Sequence, residues 1–376
     1  MLKAIAVVAT VVLLSVAFVM VLPAPADAKY PKNIVYAIPI TITNSQSVAT
    51  PRPFDQMLTV DSSAYSAYEA ANLQNVEFFY ASARVIPSWL ESGNSNAATS
   101  SVYWLNLFMG IPAGGSITIF MGFAATTVNL FNGVAVGEAP QLSGTYAQYD
   151  NGRVVFPYYD NFVGPTLSGA WTTNSPSSDL TVNDGLTLGY PPTYATGVSG
   201  YVMSTGTFSA GYTFDTAVTS IFDVDNIGFF NLGTYIGFGP GTYQGAFIRT
   251  ACGSTYPDQW SYLGGEANGG GACVGPGTEN GNFFSSEGVP GIYTVSLLPG
   301  SSSIQYFNYG LGGTTQPVTT DGPSYPVSAG FVNGHGSPIS VQWARIRASP
   351  PNSVMPTAAF GVIYCPGQGP GGINCP

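Results

Sequence analysis

The stretch Ser101–Phe123, SVYWLNLFMGIPAGGSITIFMGF, limits the possible folds more than any other part of the chain. Two β-rich runs, Val102 to Met109 and Ser116 to Phe123, flank Gly110-Ile-Pro-Ala-Gly-Gly115, which breaks a helix and suits a turn. The pattern predicts a hairpin. In an extended run alternate side chains face opposite ways, so Tyr103, Leu105 and Leu107 share one side and Val102, Trp104 and Asn106 the other. Both sides are largely apolar, which predicts a central strand covered on both faces.

The rest of the chain repeats the style of short strands and frequent breaks. With 47 Gly and 29 Pro among 376 residues and only 7% charged residues, the composition belongs to a many-turned β protein. Strands are expected at Asn33–Asn44, where Pro39 argues for an edge or a bulge, and at Phe54–Val60, Val76–Tyr80 and Arg84–Leu90. One or two helical turns are expected over Ser62–Ala71, capped by Asp61 or Ser62. Asp150-Asn151-Gly152-Arg153 predicts a type I′ turn with Asp150 paired to Arg153, followed by an aromatic strand over Val154–Tyr159. Nine further strands follow, among them a single strand Val218–Phe230 and a last one at Ile339–Arg347. The fold class expected is all-β, with two β-sandwich, jelly-roll-like domains.

The N-terminus adds a compartment. Lys3, the apolar run Ala4–Leu22 and Pro23-Ala-Pro-Ala-Asp-Ala28 form a secretory signal pattern, cleaved after Ala28; left uncleaved, it would be the chain's one membrane attachment. The expected division is a signal peptide at 1–28, a sandwich at 29–165, a second sandwich at 166–349 and a Pro/Gly-rich tail at 350–376. Export makes disulfides the default for Cys252, Cys273, Cys365 and Cys375, with the two local pairings favoured. A formal charge of −10 argues against nucleic acid as a partner. It also leaves few possible ion pairs, which predicts stability nearly flat down to about pH 3.

Several phrases of the first half resemble the family known as domain of unknown function 2341. They are Ile38-Pro-Ile-Thr-Ile-Thr-Asn44, Ile86-Pro-Ser-Trp-Leu-Glu91, Val102-Tyr-Trp-Leu with Ile111-Pro-Ala-Gly-Gly-Ser-Ile-Thr-Ile-Phe120, and Tyr159-Asp-Asn-Phe162, all within residues 33–162. The chain departs from that family at Asn75-Val-Glu-Phe-Phe79. The second half resembles the concanavalin A-like sandwiches of lectins and glucanases, with Trp343-Ala-Arg-Ile-Arg347 similar to their closing strand. The resemblance implies an exported, glycan-contacting module and supplies no catalytic residues.

Candidate site residues are few. Asp223 and Asp225, two apart, would sit on one strand face about 6.6 Å apart, where they could serve a glycosidase or hold a structural calcium; the plainer reading is the solvent face of a half-buried strand whose other face is Phe222 and Val224. Tyr256, Trp260 and Tyr262 lie in the stretch bounded by Cys252 and Cys273 and could stack on sugar rings, unless Gln259–Leu263 is a strand with Trp260 in the core. The single His335, in a glycine turn, makes no triad, and no zinc or phosphate motif is present. The expectation is an exported or cell-surface, non-enzymatic protein of an archaeal envelope that binds polysaccharide or envelope glycan or acts as an adhesin, with no cofactor beyond that calcium. A secreted glycoside hydrolase of concanavalin-like fold and a structural envelope subunit are the alternatives.

Overall fold

The computed structural model describes residues 29–365 apart from 176–177, 190–199, 221–225, 231–244, 250–260, 266–289, 299–300, 309–312, 315–317, 321–324 and 334–337. The first part contains β1 Ile34–Thr43, β2 Phe54–Val60, β3 Val76–Phe79, β4 Val85–Ile86, β5 Ser88–Ser92, β6 Ser101–Leu107, β7 Ser116–Ala124 and β8 Val136–Glu138. One helical turn, α1 Gly152–Val155, and β9 Tyr158–Asp160 lead onward. Then come β10 Trp171–Thr173, β11 Leu180–Val182, β12 Leu186–Leu188, β13 Gly200–Ser204, β14 Tyr212–Ser220, β15 Asn226–Phe230, β16 Gly245–Arg249 and β17 Ser261–Gly265. They are followed by β18 Gly291–Leu298, β19 Ser301–Asn308, β20 Gly313–Thr314, β21 Val318–Thr320, β22 Ser328–Asn333, β23 Ile339–Ala348 and finally β24 Thr357–Phe360.

These strands form four sheets, and apolar residues between them stack the sheets in four layers. The outermost layer has the order β24-β1-β7-β3-β4 and the next β2-β6-β5-β8. Ile38, Ile40 and Ile42 meet Leu58, Tyr103, Leu105 and Leu107 between them, which makes the first sandwich. The third layer runs β11-β12-β23-β14-β18-β19-β20, with β9 and β21 attached, and the fourth β10-β13-β22-β15-β16-β17. Phe214, Val295, Val341 and Ile346 face Val202, Ile227, Phe229 and Phe331 in the second core. The molecule is all-β and built of two sandwiches, as the composition predicted.

The two sandwiches also pack on each other. Trp89, Val102 and Trp104 of the second layer meet Ala217, Ile292 and Trp343 of the third, with Val155, Phe156 and Tyr159 between. This explains the two apolar faces of β6. Tyr103, Leu105 and Leu107 fill the first core while Val102 and Trp104 fill the junction, so the strand is covered on both sides.

The hairpin expected across Gly110–Gly115 does not form. β6 pairs with β2 and β5, whereas β7 pairs with β1 and β3 in the other sheet. Both strands point into one core from opposite layers, so the connection turns a corner between sheets. Asp150–Arg153 is no hairpin turn either: Asn151 has φ −122°, and Gly152 opens α1. Glycine is needed there because a Cβ would lie 2.4 Å from the Tyr159 ring. Arg153 pairs with Asp160 at 3.2 Å and not with Asp150. The helical turns expected near Ser62 reduce to a 3-10 turn at Ser62–Tyr65, without a side-chain cap from Asp61.

Pro39 sits at an irregularity in a ladder, beyond which Ala37 bridges Tyr364. β1 lies between β7 and β24, but its pairing with β24 runs only from Ile40 to Thr43. The last strand therefore returns from the second sandwich to complete the first. In β23 a bulge falls between Val341 and Trp343. Ile339, Val341, Ala344 and Ile346 consequently all face the second core, and Trp343 faces the first sandwich.

Because Leu105 is fully buried in the first core, Leu105→Ala is expected to cost about 2 to 5 kcal/mol. Chemical denaturation measures it; a loss below 1 kcal/mol would mean that this layer pair is not the core of the first sandwich.

Candidate functional site

Most of the residues singled out from the sequence lie outside the described residues: Asp223, Asp225, Tyr256, Trp260, His335, Cys252, Cys273 and Cys375. Tyr262 is on β17, the edge strand of the fourth layer, opposite Ile248 of β16. Cys365 is buried, and no thiol is free among the described residues. The single strand expected over Val218–Phe230 is two strands. β14 ends at Ser220 in the third layer and β15 starts at Asn226 in the fourth.

What the structure does bring together is a set of charges the sequence reading passed over, at the junction of the sandwiches. Beyond its bulge β23 alternates Trp343, Arg345 and Arg347 toward the first sandwich. Arg345 Nε donates to Asp215 Oδ2 of β14 at 2.8 Å, and its Nη1 meets Glu91 Oε2 of β5. Arg347 Nε donates to the same Asp215 oxygen at 2.7 Å, and Thr294 Oγ1 donates to Oδ1 at 2.8 Å. Trp104 Nε1 donates to Glu91 Oε2 at 2.9 Å. The Arg345 guanidinium lies 4.3 Å from the Trp104 ring centre, 4.7 Å from Phe156 and 4.8 Å from Trp343. Arg345 is 1% exposed, so cation–π contacts and ion pairs replace all of its water.

The charge count at the junction is uneven: two guanidiniums face Glu91, Asp215 and Asp55 of β2. Burial alone would raise Asp215, but Arg347, Arg345 and their hydrogen bonds outweigh it and hold the carboxyl down to about 2. Burial lifts Asp55 to about 7 despite the two arginines. Glu69 and Glu77 are also lifted to about 7 by burial.

Two more aspartates fix the passage between the sandwiches. Asp150 accepts from Trp89 Nε1 at 2.8 Å, Gly152 N at 2.9 Å, Tyr159 OH at 2.8 Å and Asn161 Nδ2 at 2.7 Å, and burial still raises its pKa. Asp160 accepts from Ser168 Oγ at 2.6 Å and Trp171 Nε1 at 3.0 Å. Tyr146 OH donates to the carbonyls of Asn161 and Gln342, at 2.8 and 2.6 Å. These partners are protein groups, and the aspartates act as structural acceptors.

No family model matches the chain, so the resemblance to domain of unknown function 2341 rests on the quoted phrases alone. A stretch of 130 residues is 44% identical to "Uncharacterized protein 562" of Sulfolobus islandicus rod-shaped virus 1. That match covers 34% of this chain and 22% of the viral protein, so the chain spans about a fifth of the curated relative's length. Among solved structures, the β-glucanase of Bacillus licheniformis is 17% identical, with a TM-score of 0.34, over 50% of this chain and 97% of that one. A β-1,3-glucanase of Mycobacterium marinum is 11% identical, with a TM-score of 0.33, over 51% and 98%. The mannose-bound lumenal domain of VIP36 is 9% identical, with a TM-score of 0.34, over 51% and 91%.

The outer face of the fourth layer is occupied at its centre. Met203, Phe230 and Val332 alternate with the core residues Val202, Phe229 and Phe331, and each is fully buried. One face of the third layer is taken up by the first sandwich.

Arg345→Met is expected to cost about 3 to 5 kcal/mol, because Glu91 would be left buried with Trp104 but without its cation. Adding Glu91→Gln should recover part of the loss. Equal melting temperatures for the two variants would refute a direct Glu91–Arg345 pair.

The pH dependence follows from the signs. Asp55, Glu69 and Glu77 hold protons to about 7 when folded, so their contribution is complete below ordinary carboxylate values and is lost as pH rises through 7. Asp215 contributes above its ordinary 3.8 and is lost only as pH falls toward about 2. The flat profile suggested by composition thus gives way to a maximum near pH 4 to 5. Unfolding free energy should fall between about pH 5 and pH 8, less so in Asp55→Asn; a rise over that interval would contradict these assignments.

Proposed function

We propose that the chain is an exported, non-enzymatic surface protein that binds a polysaccharide or envelope glycan, or adheres to one, through the edge of its second sandwich. The observation that carries the reading is the state of the gathered carboxylates. Asp55, Glu91 and Asp215 are 1 to 2% exposed and bound up with two arginines, out of reach of a substrate. An inverting or retaining glycosidase needs a carboxyl pair flanking an accessible bond. Among the described residues the gathered carboxylates are thus committed to the fold, and aromatic rings meet sugar C–H faces without charge.

Tyr262 is the proposed contact because it stands on the edge strand β17, and Trp260 and Tyr256 precede it in sequence. Residues two apart in an extended segment share a face, so Trp260 and Tyr262 would meet successive parts of one glycan. A cleaved signal at residues 1–28, the pairs Cys252–Cys273 and Cys365–Cys375, and a calcium at Asp223 and Asp225 complete the proposal. The alternatives raised by the sequence, a structural cell-envelope subunit and a secreted glycoside hydrolase, are the readings the test separates from it.

The test is retention of the purified chain on polysaccharide and cell-envelope columns, with reducing ends assayed in parallel. Trp260→Ala and Tyr262→Ala should each lower retention about tenfold or more while the fold persists. Release of reducing ends that disappears in Asp223→Asn or Asp225→Asn would replace this reading with a hydrolase. Full retention in both aromatic variants would move the weight to the subunit reading.

A further inference from the structure

The first sandwich keeps its cations outside and most of its carboxylates inside. Lys29, Lys32, Arg52, Arg84 and Arg153 are exposed, whereas Asp61 is its one exposed carboxylate among the described residues. Three of those cations meet just past the end of β6. The backbone N–H of Lys29 donates to Ala81 O at 2.8 Å, on the turn that carries Arg84. The Arg84 guanidinium lies 3.7 Å from the ring centre of Phe108, and Phe108 packs edge-on against Tyr80. Arg52 borders Gly110, two residues beyond Phe108. Asp61 is kept away from them, because the seven residues of β2, roughly 20 Å of strand, separate it from Arg52.

The same end exposes apolar side chains. Phe108 and Met109 are 38% and 53% exposed, and Val48 is 56% exposed. Val48 belongs there because Asn44 Nδ2 donates to both Val48 O and Pro112 O, at 2.8 and 3.1 Å, which ties its loop to the turn after Met109. A ring can offer a sugar its C–H face, but valine and methionine side chains gain chiefly by leaving water. The long apolar run of the chain also arrives at this place: Ala4–Leu22 is followed by residues 23–28 and then by Lys29. Those linking residues, fully extended, reach at most about 20 Å, so a bilayer that holds the run stands next to this end.

We propose that this end of the first sandwich docks on an anionic lipid bilayer, with Val48, Phe108 and Met109 in the headgroup boundary and Lys29, Arg52 and Arg84 on the lipid phosphates. Apolar side chains that dip into the interface and cations that pair with its phosphates add their attractions in a peripheral contact of this kind. The net charge of −10 does not oppose it, because salt at about 0.1 M screens charges beyond about 10 Å and only this end comes so near. If residues 1–28 stay, the run holds the patch on the bilayer; if they are cut after Ala28, the new α-amino group of Lys29 adds a positive charge beside Ala81. The contact uses none of the aromatic residues proposed to bind glycan and goes beyond that reading.

Flotation of the exported chain, starting at Lys29, with lipid vesicles tests this. The vesicles are phosphatidylcholine alone or with about 30 mol% phosphatidylglycerol, in about 50 mM and about 500 mM NaCl. Binding should occur on the anionic vesicles at low salt and weaken at least about tenfold at high salt or without phosphatidylglycerol. Arg52→Glu with Arg84→Glu should weaken it by at least about tenfold with the melting temperature nearly unchanged. Lys29→Glu, which changes neither arginine, should weaken binding on its own and serves if the double variant does not fold. Met109→Ser removes no charge and should still weaken binding several-fold, which a purely ionic contact would not show. No flotation with either vesicle, equal flotation with both, or flotation untouched by these changes would overturn the proposal. So would retention on an acidic polysaccharide, without flotation, that falls in the charge variants but not in Met109→Ser, which would assign the cations to an anionic glycan. Polysaccharide retention through Tyr262 is read separately, so either idea can fail alone.

Discussion

Arg345 is the residue on which the arrangement of the two sandwiches depends. It reaches Asp215 within its own sandwich and Glu91 across the junction, and four aromatic rings surround it. An ion held this deep costs several kcal/mol unless its partners are in place, and here one partner belongs to each sandwich. The apolar contacts of Trp89 with Trp343 would tolerate small sliding of one layer over the other. The ion pair of Arg345 with Glu91, which crosses the junction between partners each held in its own sandwich by a bond of 2.8 or 2.9 Å, does not. The junction is therefore a fixed register between sheets, not a loose linker.

A chain with so few charges places many of them inside. Asp55, Glu69, Glu77, Glu91, Glu138, Asp160 and Asp215 are all buried, alongside Arg345 and Arg347. Some are neutralised by cations, and others keep a proton because burial makes the charged form unfavourable. Acid suits such an interior. The division also shapes the exterior, since the first sandwich draws most of its carboxylates inside and keeps its cations on the surface.

The all-β class and the two-faced character of β6 were legible because alternation reports burial directly. Which layer covers each face was not, since a period of two says only that a side is covered. The Gly110–Gly115 connection has the chemistry of any tight reversal, and a hairpin and a corner between sheets place the same demands on it. Gly152 was misread for a related reason: its smallness serves Tyr159, a ring that arrives through the fold and not through a local turn. The junction was readable in principle. Arg345 and Arg347 alternate with Ala344 and Ile346 in the apolar stretch after Trp343, and a charge at such a position implies a buried partner. For the aromatic site, the strand reading of Gln259–Leu263 was close, as β17 begins at Ser261.

The return of β24 to β1 ties the two ends of the described chain together in space while they stay far apart in time. Residues 40–43 leave the ribosome tens of seconds before their partners 357–360, at roughly 5 to 20 residues per second. Until then the first sandwich is born with β1 as a bare edge, and the apolar Ile40 and Ile42 lie along it. An unpaired edge of this kind recruits other strands. Assembly of the second sandwich is what delivers the closing strand, so the half made first is the half finished last.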